Sequence, residues 1–296
     1  MQRERVSENV YWFQSEVYAQ VTAGVITGPQ WAVVIDTLAL PEETLAMRAF
    51  IEEELSVPVR YIINTHFHAD HCWGNCFFPG ATIIAHELCR KAILERGQLS
   101  LESAKKQNPL FKSVKLVAPH LTFSKGEMSL RVGKKNLVLS STPGHSADGL
   151  SVLVEEDRVL FAGDSFMPLP YFVDGNFEEL SSTIKHIGKM SLENIIQGHG
   201  DIILRGEIDD AVKDNLSYLA QLSKAVHNAA RRRNPQDALA AIDIESCGKS
   251  RVFLGGLAQD LHKRNIRWLY TQVLKEIPDS EIQPEIEEPE EEEISD

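Results

Sequence analysis

With 296 residues and 43% hydrophobic content, the chain has enough apolar material for a sizeable core and does not have the composition of a disordered protein. Its formal charge of −13 is concentrated: residues 276–296 hold eleven acidic side chains and no Lys or Arg, leaving about −2 on the rest, a poor match for a nucleic acid partner. No run reaches the roughly 20 apolar residues of a membrane helix, residues 1–6 lack a signal-peptide core, and Cys72, Cys76, Cys89 and Cys247 do not make a disulfide framework, so a cytoplasmic protein with free thiols is expected.

Residues 9–15, 22–27 and 32–37 have the apolar, β-branched character of short strands, with Gly28-Pro29 marking a turn between the last two. Pro41-Glu42-Glu43 supplies proline and negative charge to a first helical turn, and Met47, Phe50, Ile51 and Leu55 continue at helical spacing until Val57-Pro58. Strands are predicted at 59–64 and 81–85, then one broken helix or two consecutive helices over 87–107. The second half offers strands near 114–117, 121–124, 128–132, 136–141, 150–154, 158–162 and 194–197, with helices over 177–190, 207–232, 235–246 and 255–275. Arg231-Arg232-Arg233 suits a helix C-terminus and needs no nucleic acid to explain it. Alternating strands and helices with polar residues gathered at strand ends predict an α/β layered architecture whose site lies along one sheet edge. No linker divides residues 1–275, so one domain is expected, followed by an acidic, proline-interrupted tail over 276–296.

The chemistry concentrates where strand 59–64 ends. Residues 64–76 read NTHFHADHCWGNC, in which His66, His68, Asp70 and His71 form H-x-H-x-D-H, a pattern that chance supplies in roughly one chain per thousand or two. Positions 66 and 68 of an extended segment share a side, while 70 and 71 converge with them only if the backbone turns. Imidazole with carboxylate suits zinc or a similar first-row ion, yet these are more donors than one catalytic metal takes from one segment, which leaves a closed site or a two-metal site open. Three later strands also stop near glycine and then present a metal-binding residue type: His145 after 137–142, Asp164 after 159–162 and His199 after 194–197.

This order of motifs, H-x-H-x-D-H, T-P-G-H, G-D and G-H, resembles that of the metallo-β-lactamase superfamily over roughly residues 8–230. The resemblance implies an αββα sandwich, two mixed sheets face to face with helices outside. It implies one metal on His66, His68 and His145, a second on Asp70, His71 and His199, and Asp164 bridging them. Zinc is the expected ion for both sites, with manganese and iron compatible. The implied reaction is attack by a metal-bridging hydroxide on a small carboxylic ester, lactone or thioester, with Asp70 orienting the nucleophile and receiving its proton. Asp36 matches a supporting acidic position that would fix a ligand-bearing loop.

An aspartate bridge resembles glyoxalase II-like thioesterases and lactonases more than β-lactam hydrolases, several of which have cysteine at that position. A nuclease of the superfamily would need a cationic surface, and a mononuclear iron sulfur oxygenase would leave the second donor set unused. The apolar, proline-stiffened residues 167–172 are expected to form a substrate wall, with Tyr171 and Trp73 as candidate substrate contacts; residues 246–257 are a candidate cap over the cleft. Cys72 and Cys76 are expected to pack beneath the site rather than bind metal. His86, His120, His186, His227 and His262 are expected to lie outside it.

Overall fold

The computed structural model describes residues 1–276, with the Glu276 side chain excluded, so nearly all of the acidic segment expected over 276–296 lies outside the described residues. Seven strands form the first sheet in chain order: β1 (Gln2–Ser7), β2 (Val10–Gln14), β3 (Thr22–Thr27), β4 (Ala32–Ile35), β5 (Val59–Ile63), β6 (Thr82–His86) and β7 (Leu121–Phe123). β1 to β4 pair antiparallel and β4 to β7 pair parallel. The second sheet runs β13 (Ile202–Leu204), β12 (Asn194–Gln197), β11 (Val159–Gly163), β10 (Leu150–Val154), β9 (Lys135–Ser141), β8 (Met128–Val132), with only β11 and β12 parallel. Both sheets are mixed, as the family resemblance implied.

Side-chain alternation assigns the layers. Trp12, Ile26, Val33, Ile35 and Ile63 face Leu137, Leu139, Val152, Phe161 and Ile196 across the sandwich. The intervening Phe13, Val25, Val34 and Ile62 point the other way, onto Met47, Phe50 and Ile51 of α1 (Pro41–Ala49) and its π-helical continuation Phe50–Glu54. Period-two alternation on central strands, with apolar residues at both phases, requires cover on both faces; each fully buried aliphatic side chain contributes about 1.5–3 kcal/mol. On the far face of the second sheet, Leu160, Ala162 and Ile195 pack on α5 (Phe177–Ile187), α6 (Ile208–Ala230) and α8 (Ala258–Glu276). Gly24 is required between the sheets, because a Cβ there would collide with the Phe161 ring.

The remaining helices are α2 (Ala69–Cys72), α3 (Glu87–Ala92), α4 (Gln98–Gln107) and α7 (Pro235–Ala240). α3 and α4 are joined through a π-helical turn, Ile93–Gly97, which settles the 87–107 segment as one continuous helical run with an internal irregularity.

Several expectations need correction. Residues 114–117 form no strand: Lys115 N donates to Cys76 Sγ (3.3 Å) and Val117 O accepts from Asn75 Nδ2 (3.3 Å), so side chains of the 73–77 turn take up backbone groups that a ladder would have used. The 235–246 helix stops at Ala240 and resumes only as a 3₁₀ turn at Glu245–Cys247, whose first amide is held by Asp243 Oδ2. The last helix begins at Ala258 rather than 255, because Leu254, Gly255 and Gly256 all have positive φ. β1 was missed because its first four residues are polar, charged and exposed; this protects a sheet edge and removes the apolar period that marks a strand.

Candidate metal centre

The seven expected residues meet at one edge of the sandwich, where β5, β9, β11 and β12 end. His66 stands three residues beyond the end of β5; His68 is the extended N-cap of α2, and that short helix turns Asp70 and His71 back toward the same space. His145, Asp164 and His199 follow the C-terminal ends of β9, β11 and β12.

Their donor atoms fall into two groups, His66, His68, His145 and Asp164 in one and Asp70, His71 and His199 in the other, the atoms of each within 4.8 Å of one another. Asp164 reaches both. Its Oδ1 lies 3.2 Å from His71 Nε2, and its Oδ2 lies 3.3, 3.5 and 3.7 Å from Nε2 of His145, His199 and His66. His199 Nε2 is 3.5 Å from Asp70 Oδ2. Gly198 makes room for this carboxylate, since a Cβ at 198 would overlap Asp164 Oδ1.

Outward-facing nitrogens fix the tautomers. His71 Nδ1 meets Asp36 Oδ2 at 2.8 Å, His145 Nδ1 the Tyr171 carbonyl at 2.8 Å, and His199 Nδ1 the Ala19 carbonyl at 2.9 Å. His68 Nε2 meets Asp174 Oδ2 at 3.1 Å. Thr65 Oγ1 donates to Asp36 Oδ2 (2.7 Å) and so receives His66 Nδ1–H at 3.1 Å. With each outer nitrogen beside an acceptor, every one of the five imidazoles in its neutral form presents an inner lone pair to one space. His145 Nε2 and His68 Nδ1 then face each other as two acceptors 3.0 Å apart, and the buried His66 Nε2, His71 Nε2 and Asp164 Oδ1 have no hydrogen-bond partner.

Such convergence is unfavourable without a cation among the donors. Tetrahedral zinc with bonds of about 2.0–2.1 Å sets its donors about 3.3 Å apart, which the observed 3.0–3.7 Å separations match. The donor set therefore fits divalent metal. Charge follows the same logic. Burial disfavours ionised Asp164, but the surrounding imidazoles outweigh it and hold the carboxyl well below its ordinary value. Burial brings His145 down to about 4 and His66 well below its ordinary value, leaving their inner lone pairs free. Burial opposes charge on His71 too, yet Asp164 and Asp36 raise it well above its ordinary value: this end attracts positive charge, whether proton or metal.

Asp36 holds the loop as expected, accepting from Thr65 N and Thr65 Oγ1 at 2.7 Å each and from His71. Its φ of +57° is left-handed, a strained conformation for a non-glycine residue, retained where its carboxylate ties three groups together. Asp174, Ala19 and Tyr18 also take part, and none of them belongs to a motif the sequence would single out. Tyr18 lines the cavity, and burial together with Asp70 raises its phenol to about 12.

A cavity of about 470 Å³ opens beside the donors. Tyr171 and Met167 line it, as expected for the 167–172 wall, and Leu254 and Leu257 of the expected cap do so too. Trp73 does not: it is buried with its ring 4.9 Å from Phe111, in a cluster with Cys89, Ile93 and Leu101. Cys72 Sγ donates to the Phe67 and His68 carbonyls at 3.2 and 3.0 Å, and burial pushes its thiol well up; Cys76 Sγ turns to the Trp73 carbonyl and Lys115 N. Both cysteines stand outside the donor groups, as do His86, His120, His186, His227 and His262.

A mixed-sheet sandwich with helices outside and two His/Asp donor groups at its edge defines a metallohydrolase-type scaffold. The sequence profile described as the metallo-beta-lactamase superfamily matches residues 18–225, and the chain belongs to that superfamily of hydrolytic enzymes. It is similar to the thioesterase pkgB of Emericella nidulans, 25% identical over 176 residues, 58% of this chain and 43% of that protein. The chain spans about half the length of several curated relatives it matches. In fold it is similar to a metallo-beta-lactamase from Pontibacter korlensis (TM-score 0.58, 18% identity, 72% of this chain and 98% of that one). It is also similar to the sec-alkylsulfatase Pisa1 from a Pseudomonas species (TM-score 0.70, 16% identity, 91% of this chain and 50% of that one). Among the described residues no helix is long and apolar enough to cross a membrane.

Proposed function

We propose that the protein hydrolyses a small carboxylic ester, lactone or thioester, with His66, His68 and His145 holding one divalent metal, Asp70, His71 and His199 a second, and Asp164 shared between them. The observation that carries this reading is the set of five imidazoles whose outer N–H groups are all committed, so that their inner lone pairs converge on Asp164. The thioesterase name of one relative supports the choice of a carbonyl substrate. When bound, the metals, with zinc the expected ion, supply a water of lowered pKa and an electrophile for the carbonyl oxygen.

The chain's own groups do the rest. Asp70 lines the cavity and is the carboxylate placed to take a proton from the attacking water. Tyr171 is kept protonated by burial while its hydroxyl bonds the Arg264 side chain, so its proton is available to a substrate carbonyl while its oxygen accepts from Arg264. Trp73, buried against Phe111, has no part in this reading.

The test is elemental analysis of the purified chain, followed by hydrolysis of ester, lactone and thioester substrates before and after chelation. Two zinc ions per chain, loss of turnover on chelation, and a fall of at least about 10³-fold in Asp164→Ala are the expected results. One iron per chain with oxygen uptake, or undiminished hydrolysis in both Asp164→Ala and His68→Ala, would overturn it.

A further inference from the structure

The cavity lining is of two kinds. His68, Asp70, His145, Asp164 and His199 supply its donors; Val17, Met167, Leu254, Leu257 and Leu261 supply an apolar lining, and no lining residue is a lysine or arginine. Two of the apolar lining residues reach the surface, Val17 at 75% and Leu257 at 37% exposure, and Val252 and Phe253, next to Leu254 in the chain, are 71% and 38% exposed. Isolated exposed apolar residues are ordinary, but a group of them continuous with a cavity lining marks a surface that is covered when a ligand binds.

The source of this wall matters. All five histidines and both aspartates of the donor groups lie within residues 18–225, the segment that matches the superfamily, whereas Leu254, Leu257 and Leu261 come from beyond it. A left-handed turn places them. Leu254, Gly255 and Gly256 have φ of 59°, 66° and 93°; a leucine in that region is strained, and here the turn brings its side chain inward to 3% exposure while its neighbours Val252 and Phe253 stay outside.

Resting on the hydrolase reading above, we propose that the substrate is an ester or thioester bearing an unbranched aliphatic chain, which lies along Met167, Leu254, Leu257 and Leu261 and leaves the cavity between Val17 and Leu257. The ester carbonyl sits at the donors. No lysine or arginine lines the wall, and Arg264 beside it is engaged by the Tyr171 hydroxyl; the wall's apolar surface favours each added methylene until the cavity is filled.

Two matched substrate series test this, p-nitrophenyl acyl esters from acetate to decanoate and alkyl acetates of rising chain length, with calorimetric binding of decanoate against acetate as a readout independent of turnover. Expected are a rise in kcat/KM of about fourfold per methylene in at least one series, and decanoate binding at least tenfold tighter than acetate. The series that rises assigns the chain to the acyl or the alcohol side. Leu257→Gln and Val17→Gln, at partly exposed positions chosen to spare the fold, should each cut the slope to about twofold or less and weaken decanoate. Flat series together with equal binding of the two acids would overturn the proposal. Tight decanoate binding without turnover of any ester or thioester would uphold the chain site and overturn the hydrolase reading.

Discussion

Two clusters of buried polar side chains attach to the same loop, residues 167–172, and they differ in what they leave unpaired. The donor cluster reaches it through His145 Nδ1 and the Tyr171 carbonyl, and it keeps His66 Nε2, His71 Nε2 and Asp164 Oδ1 without partners. The second cluster comes from α6, α8 and the segment between them. Asn215 Nδ2 donates to the Met167 carbonyl, Asn265 Nδ2 to the Pro170 carbonyl, and Phe172 N to Asn265 Oδ1. Behind them Lys249 Nζ meets Asn215 Oδ1 at 2.6 Å, and Tyr218 Oη meets His262 Nδ1 at 3.0 Å. None of these side-chain atoms is left over. Burial alone therefore does not mark a functional site; orphaned atoms aimed at one space do. One cluster calls for a ligand, and the other fixes the wall beside it.

The largest effect that would break this contrast is expected from Asp36→Ala. It strips the acceptor from Thr65 N, Thr65 Oγ1 and His71 Nδ1 at once. Each unpaired buried donor costs about 1–3 kcal/mol, and metal affinity should fall about 10–100-fold, measured by competition with a chromogenic chelator alongside thermal melting. Unchanged affinity would mean that the imidazoles are held by packing rather than by this carboxylate.

Next in size is Lys249→Met. Burial draws the Lys249 ammonium down to about 8, against an ordinary value of 10.5. Between those values the unfolded chain holds a proton that the folded chain has released, so stability from this group rises with pH across that window and is lost as pH falls through 8. The rise amounts to about 3 kcal/mol. Burial raises the Cys72 and Cys89 thiols instead, and their contribution falls as pH climbs past the ordinary thiol range, so the difference between wild type and variant isolates the lysine. Denaturant melts from pH 7 to 10.5 should rise more steeply in wild type than in Lys249→Met, with metal content equal in both. Parallel curves would show the ammonium to be solvated, and a fall in metal content would show the two clusters to be coupled.

The donor cluster was legible in the sequence and the second cluster was not, for a physical reason. His145, Asp164 and His199 each follow an apolar strand and a glycine, so local pattern placed them at one sheet edge before any contact was known. Asn215, Tyr218, His262 and Asn265 sit on long helices with no special spacing, and only the packing of α6 against α8 brings them together. The same limit hid Asp174 and the Ala19 carbonyl, which act across more than 100 residues of chain on His68 and His199. Residues 114–117 were misjudged because an apolar extended run does not tell whether its backbone will meet a strand or, as here, the side chains of Asn75 and Cys76. The family resemblance implied two sheets with helices outside, and apolar residues at both phases of β2 to β6 and β9 to β12 account for it, but the left-handed turn at Leu254 left no period to read.

The smallest expected effect separates charge from geometry at the exposed end of the donor cluster. Asp174 is 41% exposed on its side chain, lies 3.1 Å from His68 Nε2 and stands 3.9 Å from Arg96 Nη1; the hydrogen bond to His68 holds its carboxyl below the usual range. Its exposure limits what its charge contributes. What His68 requires is an acceptor that keeps the proton on Nε2, so that Nδ1 presents its lone pair toward His145 and Asp164. Asp174→Asn retains an acceptor oxygen at that distance, whereas Asp174→Ala removes it. Metal affinity should therefore fall less than about threefold in Asp174→Asn and about tenfold in Asp174→Ala, read by the same chelator competition. Equal losses in the two variants would show that negative charge, not the acceptor, sets the His68 tautomer.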